Sequence, residues 1–167
     1  MPIKRHETIT FRTAWGACSI AWAVDGIVRV LLPGASKTTS SDRGDPPGFV
    51  KDAMRRIIAH LKGTPQDYLD LPVDLGGMGA FSRDALEAAR TIPWGATTTY
   101  GELAALIGRP GAARAVGQAM ARNPVPLVVP CHRVLASGGR LRGFSAPGGI
   151  AVKQRLLGME GVRSVRE

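Results

Sequence analysis

The stretch TTTYGELAALIGRPGAARAVGQAMARNP, residues 97–124, predicts two short helices joined by a tight turn that contains glycine. Thr99 and Glu102 have the spacing of a capping box, in which each side chain binds a backbone amide at the start of the first helix. The second helix is expected over residues 112–122 and ends before Asn123-Pro124. This arrangement is typical of a helix-turn-helix, although a plain helical hairpin has the same pattern.

The second helix combines very small side chains with one long cation. Ala112 and Ala113 begin it, Arg114 follows, and alanine or glycine fills most of the remaining positions. Close packing against a core explains such a helix. The alternative is that the helix enters a DNA groove, with its N-terminal amides near the phosphates and Arg114 reaching into the base stack.

The charge of the chain favours a polyanionic partner. The chain has 167 residues and a formal net charge of +9, and residues 83–167 contain twelve Lys and Arg residues against five acidic ones. Cations clustered in this way attract DNA or RNA by displacing condensed counterions. A basic surface that only maintains solubility is the alternative.

Hydropathy and cysteine content argue against several classes of protein. The chain is 44% hydrophobic but has no run of about 18 apolar residues, and its first residues lack an apolar segment. We therefore expect neither a membrane span nor a secretory signal. Cys18 and Cys131 lie far apart and form no CxxC pair, which suits a reducing compartment. The cytoplasm is the expected location, or the nucleus if the source is eukaryotic.

The N-terminal half is predicted to form a small sheet with a helix across it. Residues 17–32, ACSIAWAVDGIVRVLL, are two apolar runs around Asp25-Gly26, a pair that favours a tight hairpin turn. Residues 33–48 have the composition of a flexible loop, and residues 49–63 carry apolar side chains at helical spacing. Residues 68–75, YLDLPVDL, are a candidate third strand.

The second half is predicted to be a separate unit. Ser82 is placed to cap its first helix, residues 125–129 form a short apolar run typical of a buried strand or extended segment, and a last helix begins near Ile150. The expected fold class is mixed α/β, of the α+β type, with a sheet-and-helix domain over residues 1–79 and a second domain over residues 80–167.

The segment VPCHRVLASGG, residues 129–139, places a cysteine beside a histidine and an arginine. His132 is a candidate proton acceptor and Arg133 is a cation, and both favour the thiolate form of Cys131, which is the reactive form. Cys18 is interpreted as a small buried hydrophobic residue.

The second half resembles a known family. The segments IPWGATTTYGELAALIGRPGAARAVGQAMARNPVPLVVPCHRV and GGRLRGFSAPGGIAVKQRLLGMEG resemble the O6-alkylguanine-DNA alkyltransferases, also called methylated-DNA-protein-cysteine methyltransferases. The resemblance implies that the second domain is a winged-helix DNA-binding domain. It also implies direct-reversal DNA repair: O6-alkylguanine is flipped out of double-stranded DNA, bound through the minor groove by a monomer. Its alkyl group then passes irreversibly to Cys131, in a single turnover and without a cofactor.

The resemblance also implies roles for individual residues. Cys131 corresponds to the alkyl acceptor, His132 to its proton acceptor through a bound water, and Glu160 to the carboxylate that orients His132. Asn123 corresponds to the residue that braces the turn before the cysteine, and Tyr100 to the phenol that assists the departure of guanine. The residues assigned to DNA binding are Arg114, which fills the gap left by the flipped base, Ala112, Ala113, Tyr100 and Ser137. The residues assigned to the alkylguanine pocket are Met120, Val134, Phe144 and Ser145.

The chain departs from the family pattern in three places. Phe144 stands where some members have tyrosine, and Ala146-Pro147 lengthens the segment after Ser145 by two residues. This extension is expected either to reshape the pocket beside the flipped base or to point into solvent without effect. No metal is expected, because the zinc site of some relatives cannot be built from the only candidate ligands of the N-terminal half, His6, Cys18 and His60.

Other functions remain open at this stage. A non-catalytic alkyltransferase-like protein would bind the same lesions, but those relatives replace the acceptor cysteine. A winged-helix regulator would explain the charge and the helix pair and would leave the PCHRV segment without a role. A cysteine hydrolase would need a second activated group to release its intermediate, and the sequence does not indicate one.

Overall fold

The computed structural model describes residues 6–35, 44–163 and 165–166. The chain begins with a three-stranded antiparallel sheet in the order β1-β2-β3, formed by β1 (Glu7–Thr13), β2 (Gly16–Ala23) and β3 (Gly26–Leu31). The sequence prediction missed β1, because two apolar residues, Ile9 and Phe11, make too short an alternation to stand out.

The predicted hairpin over residues 17–32 is confirmed, with its turn shifted by one residue. Ala23 pairs with Gly26, so Val24 and Asp25 form the turn. Gly26 has a φ of +146°, and a Cβ atom at this position would lie 2.7 Å from the carbonyl group of Pro72. Glycine is therefore required both by the backbone and by the close approach of the neighbouring segment.

The strand predicted over residues 68–75 is wrong. Only an isolated bridge joins Ile27 and Val73. The amide of Ile27 donates to the Pro72 carbonyl and the amide of Asp74 donates to the Ile27 carbonyl, both at 2.9 Å. Because Pro72 has no N–H, the ladder does not extend beyond this pair of bonds.

Helix α1 (Gly48–His60) packs against β1 and β2 and confirms the predicted helix. Its buried residues, Val50, Ala53, Ile57 and His60, recur at helical spacing. The loop predicted over residues 33–48 lies partly outside the described residues.

Helix α2 (Ala80–Arg90) begins three residues earlier than the sequence predicted. Its N-cap is Gly79, which has no side chain to bind the first amides, and Ser82 is the third residue of the helix. The prediction that Ser82 caps the helix is therefore wrong. Ala85, Leu86 and Ala89 form its buried face.

The predicted helix pair is confirmed as α3 (Tyr100–Leu106) and α4 (Ala113–Ala121), with α3 following the short strand β4 (Thr98–Thr99). The capping box is present. The Thr99 hydroxyl accepts from the Glu102 amide at 3.1 Å, and the Glu102 carboxylate accepts from the Thr99 amide at 2.7 Å. Helix α4 packs against α2 and α3. Strand β4 pairs in parallel with β5 (Val134–Leu135), so the helix pair is joined to the segment that follows the cysteine.

Residues 125–129 are buried, as predicted, but they form a tight turn and not a strand. The Val129 amide donates to the Val125 carbonyl at 2.9 Å, and Leu127 adopts a left-handed φ of 71°. Pro126 and Pro130 lack N–H groups, which prevents this segment from joining a ladder.

The last helix, α5 (Gly149–Met159), begins where the sequence predicted.

One hydrophobic core includes residues from both halves of the chain. The mixed α/β fold class is confirmed, while the boundary after residue 79 stays a prediction. No helix within the described ranges is long and apolar enough to cross a membrane. Buried members of the core include Ile20, Ile57, Leu86, Val116 and Leu156.

Candidate active site

Cys131 begins a 3₁₀ turn, Cys131–Arg133, directly after the buried turn of residues 125–129. Only 3% of the residue is exposed. Its amide donates to the Val129 carbonyl at 2.8 Å, which fixes the backbone before the thiol. Burial raises the pKa of the Cys131 thiol, while Asn123 and the charge of Lys153 oppose this shift. The thiol is therefore protected at rest, and its reactivity depends on its neighbours.

Asn123 braces the turn that leads to Cys131. Its side-chain amide donates to the Val129 carbonyl at 2.9 Å, and its side-chain oxygen accepts from the Val125 amide at 3.0 Å. Asn123 is itself buried, so these bonds are shielded from water. The Asn123 side chain thus binds both the first and the last residue of the turn and holds the two ends together.

His132 and Glu160 form a buried pair. His132 Nε2 lies 2.7 Å from Glu160 Oε1, while His132 Nδ1 is buried without a hydrogen-bond partner among the described residues. Burial lowers the pKa of His132 to about 4, so the ring is neutral at pH 7. Burial alone would raise the pKa of Glu160, but the hydrogen bonds from His132 and Arg133 and the proximity of His60 outweigh it and lower the pKa. His132 therefore presents Nδ1 as a proton acceptor and donates from Nε2 to the carboxylate.

Arg133 is bound to Glu160 and is not the cation that supports the thiolate. Its Nε donates to Glu160 Oε2 at 2.8 Å, its Nη2 to Oε1 at 2.9 Å, and its Nη1 to the Ile92 carbonyl at 2.6 Å. This two-point contact fixes the plane of the carboxylate and balances its charge. The earlier interpretation of Arg133 as a neighbour of the thiolate is therefore corrected.

The cation that opposes the rise in the pKa of Cys131 caused by burial is Lys153, a residue that the sequence did not indicate. Lys153 is 1% exposed, and its Nζ donates to the carbonyls of Val134 at 2.7 Å, Arg142 at 3.0 Å and Gly143 at 3.4 Å. Burial lowers the pKa of Lys153 to about 8, so the ammonium group is still charged at pH 7. Its position on the same face of α5 as two buried leucines, three and four residues later, was the available signal.

Tyr100 is the first residue of α3 and lies beside Lys153. Its ring centroid is 5.8 Å from Lys153 Nζ, and its hydroxyl donates to the Arg142 carbonyl at 3.3 Å. Burial, followed by the proximity of Cys131, raises the pKa of Tyr100. The phenol therefore keeps its proton at neutral pH and is able to donate it.

The residues assigned to DNA binding lie at the surface or near it. Arg114 is exposed in the first turn of α4, and Ala112 and Ala113 beside it are partly exposed. The opposite face of α4 is buried in the core, which agrees with close packing as a reason for its small side chains. Entry of the exposed face into a DNA groove stays a prediction. Ser137 is exposed in a short 3₁₀ turn, Ser137–Gly139.

The residues assigned to the alkylguanine pocket differ in exposure. Met120 and Val134 are buried in the core, whereas Phe144 is partly buried and Ser145 is exposed. Ser145 and Asn123 line one depression of about 270 Å³. Two of the residues assigned to the pocket, Met120 and Val134, are therefore buried. The other two follow Arg142 and Gly143, whose carbonyls accept hydrogen bonds from Lys153.

The Ala146-Pro147 extension is packed against the N-terminal half. Ala146 is buried in the main core. A Cβ atom on Gly34 would lie 3.2 Å from the Pro147 side chain, and Pro147 lines the depression shared by Ser145 and Asn123. Of the two outcomes expected from the sequence, a loop that points freely into solvent is wrong.

A second histidine approaches Glu160 from the N-terminal half. His60, His132 and Glu160 place metal-ligating atoms within 4.8 Å of one another. The guanidinium of Arg133 already contacts both oxygens of the carboxylate, and a metal ion would have to displace it. We therefore assign no metal to this cluster. The sequence analysis had weighed His60 only as a zinc ligand.

Comparison with known proteins identifies the family. The chain is 38% identical over 167 residues to the methylated-DNA–protein-cysteine methyltransferase of Methanothermobacter thermautotrophicus, an alignment that covers 96% of this chain and 92% of the relative. The chain belongs to this family. Residues 80–162 match the family model described as the 6-O-methylguanine DNA methyltransferase DNA-binding domain.

Solved structures of methyltransferases have the same fold. The O6-methylguanine methyltransferase of Mycobacterium tuberculosis matches with a TM-score of 0.78 and 32% identity, covering 98% of this chain and 97% of that one. The OGT of the same organism in complex with DNA matches with a TM-score of 0.77 and 34% identity, covering 95% and 94%. The resemblance inferred from the sequence is confirmed, and the roles of individual residues stay predictions.

Proposed function

We propose that this methyltransferase repairs DNA by direct reversal, moving the alkyl group of O6-alkylguanine onto Cys131. The observation that carries the proposal is the buried array in which Glu160 holds His132 by Nε2 and leaves Nδ1 free, next in sequence to Cys131. The names of the relatives, which specify methylated DNA and a protein cysteine, support it.

The reaction begins with ionisation of the thiol. The proton of Cys131 passes to His132 Nδ1 through a bound water, and Glu160 balances the charge of the imidazolium. The sulfur then attacks the alkyl carbon, a C–S bond forms, and the bond from that carbon to guanine O6 breaks. Guanine leaves with the electron pair and gains a proton, with Tyr100 donating toward N3. No group in the array is placed to cleave the resulting thioether, so each molecule acts once.

Access to O6 requires that the base leave the duplex. Extrusion costs a few kcal/mol, which a side chain that fills the vacated space offsets. Arg114 is exposed at the N-terminal end of α4 with small residues on either side, which suits insertion from the minor groove. The DNA complex of the related OGT supports DNA binding by this fold.

The buried array also separates the alternatives. A winged-helix regulator or a non-catalytic lesion-binding protein needs neither a thiol nor a buried histidine with a free ring nitrogen, and burying such groups is costly. The methyltransferase uses both. A monomeric state and a cytoplasmic location remain predictions, and the two free cysteines are consistent with that location.

The deciding experiment is intact-mass measurement after incubation with excess O6-methylguanine duplex. We expect the protein to gain one methyl group in place of one hydrogen, mapped to Cys131, and then to stop. Cys131→Ser should bind the duplex and gain nothing. Cys18→Ser is the matched control and should gain the group normally, because burial raises the pKa of Cys18 to about 11. Repeated turnover, or modification at Cys18, contradicts the proposal.

A further inference from the structure

Two histidines share one oxygen of Glu160. His132 Nε2 lies 2.7 Å from Oε1, and His60 Nε2 lies 3.2 Å from the same atom. His60 is the last residue of α1 and is 0% exposed. The N-terminal half therefore reaches the carboxylate that serves the cysteine.

The surroundings of His60 fix its tautomer. His60 Nδ1 lies 3.0 Å from the hydroxyl of Tyr68, which makes no other hydrogen bond within the described part of the chain. Burial raises the pKa of Tyr68, so the phenol retains its proton and donates it to Nδ1. The hydrogen of the neutral ring is then on Nε2 and faces the carboxylate, because the other tautomer would oppose two lone pairs.

Three N–H groups, from His132, Arg133 and His60, lie close to Oε1 of Glu160 and compete for it. Arg133 Nη2 lies 2.9 Å from Oε1, so this oxygen already binds two donors before His60 is counted. A carboxylate oxygen offers about two lone pairs. In agreement, His60 Nε2 is close to Oε1 but makes no aligned hydrogen bond. His60 would therefore form a full hydrogen bond to Oε1 only if His132 gave up its own hydrogen bond to this oxygen.

We propose that His60 is a positioning residue that acts through Glu160 to restrain the thiol, by competing with His132 for the carboxylate. The inference rests on the proposed function, in which the proton of Cys131 moves to His132. That transfer creates an imidazolium, which Glu160 must stabilise. An additional N–H beside Oε1 weakens this stabilisation and so favours the protonated thiol.

The sign of the effect separates this role from a structural one. Arg133 donates hydrogen bonds to both oxygens of Glu160, so the carboxylate should keep its orientation when His60 is replaced. Removing the competing N–H should therefore increase thiol reactivity. A residue that only supported the fold would lower reactivity or leave it unchanged. The titratable and charged groups that face His60 are Tyr68, Glu160, His132 and Arg133.

The primary test compares His60→Leu/Tyr68→Phe with Tyr68→Phe alone. The double variant fills the space without leaving a buried hydroxyl unpaired, and the single variant retains the imidazole. Carbamidomethylation of Cys131 by iodoacetamide, in which the sulfur displaces iodide, is followed against pH, with folding checked by thermal melting. We expect the double variant to react about twofold faster at pH 7, less than the effect of one ordinary hydrogen bond because the N–H of His60 is not aligned on Oε1, with its pH midpoint moved down. An equal or slower rate overturns the proposal.

A second pair of variants avoids the apolar substitution. His60→Gln carries an amide N–H that reaches Glu160, whereas the shorter side chain of His60→Asn reaches only Tyr68. The glutamine variant should keep the wild-type pH profile and the asparagine variant should shift as the double variant does. Identical profiles for both variants contradict the proposal. Since iodoacetamide needs no DNA, these results stand apart from the methyl-transfer assay, and a wild-type protein that fails that assay removes the proposed function alone.

Discussion

The ammonium group of Lys153 donates to the carbonyl oxygen of Val134 at 2.7 Å, and its charge opposes the burial that raises the pKa of Cys131. One buried cation thus links α5 to the segment after the cysteine. In Lys153→Met, which preserves length and removes charge, the pKa of the thiol should rise further and the rate at pH 7 should fall about tenfold. Iodoacetamide kinetics measures this. Lys62→Met, an exposed lysine, is the control and should leave the rate unchanged.

Replacement of Glu160 should act in the opposite direction to replacement of His60. Glu160→Gln removes the charge that stabilises protonated His132, so we expect about tenfold slower alkylation of Cys131 at pH 7 and an upward shift of the pH midpoint. The variant should also unfold more easily, by about 3–5 kcal/mol, because Arg133 loses its buried partner. Glu102→Gln weakens an exposed cap and should leave the pH profile in place. An unchanged profile in Glu160→Gln would remove the carboxylate from the mechanism.

Arg114→Ala should distinguish repair of duplex DNA from reaction with the free base. The proposed role of Arg114 is to fill the space left by the extruded nucleotide, which free O6-benzylguanine does not create. We expect a larger loss of rate on O6-methylguanine duplex than on O6-benzylguanine. Arg55→Ala, which removes an exposed charge from α1, provides the comparison for net charge. Equal losses on both substrates count against the role.

Acid should destabilise the protein through the buried histidines. Burial lowers the pKa of His132 from 6.5 to about 4. Between these pH values His132 is therefore protonated in the unfolded chain and neutral in the folded chain. The free energy of unfolding should therefore fall as the pH drops from 6.5 to 4. Denaturant unfolding at several pH values should show a shallower dependence in His132→Gln. His6→Gln, at an exposed position, should retain the wild-type slope.

Deletion of Ala146 and Pro147 together should change substrate preference more than sulfur reactivity. The extension lies between the core and the depression shared by Ser145 and Asn123. Its removal should shift the ratio of benzyl to methyl transfer rates and leave the iodoacetamide rate of Cys131 nearly unchanged. A folded deletion variant with the wild-type ratio would show that the extension has no effect on the pocket.

The parts of the fold that the sequence predicts are those with local signals. The capping box at Thr99, the turn after α3 and the glycine-flanked hairpin each depend on residues a few positions apart. The prediction of a strand over residues 68–75 was wrong because Pro72 has no backbone N–H to donate to a neighbouring strand. The apolar pattern alone does not take this missing donor into account. The prediction that Ser82 caps α2 failed by three residues because local sequence signals locate the start of a helix less well than its existence.

The site was predicted only in part, for a related reason. The family pattern identified Cys131, His132 and Glu160 by position. It did not reveal that Arg133 turns toward Glu160, that Lys153 is buried against three carbonyls, or that His60 arrives from another half of the chain. Lysine and arginine are usually exposed, so burial of these two depends on partners that are distant in sequence.

The shared core also limits how this protein is able to evolve. Exchange of its first 79 residues with those of a relative would replace α1 and with it the imidazole at Glu160, together with the surface that receives Pro147. A chimera joined at that boundary would lose side chains that contact each other in this chain. The N-terminal half is therefore a structural part of the site in the other half.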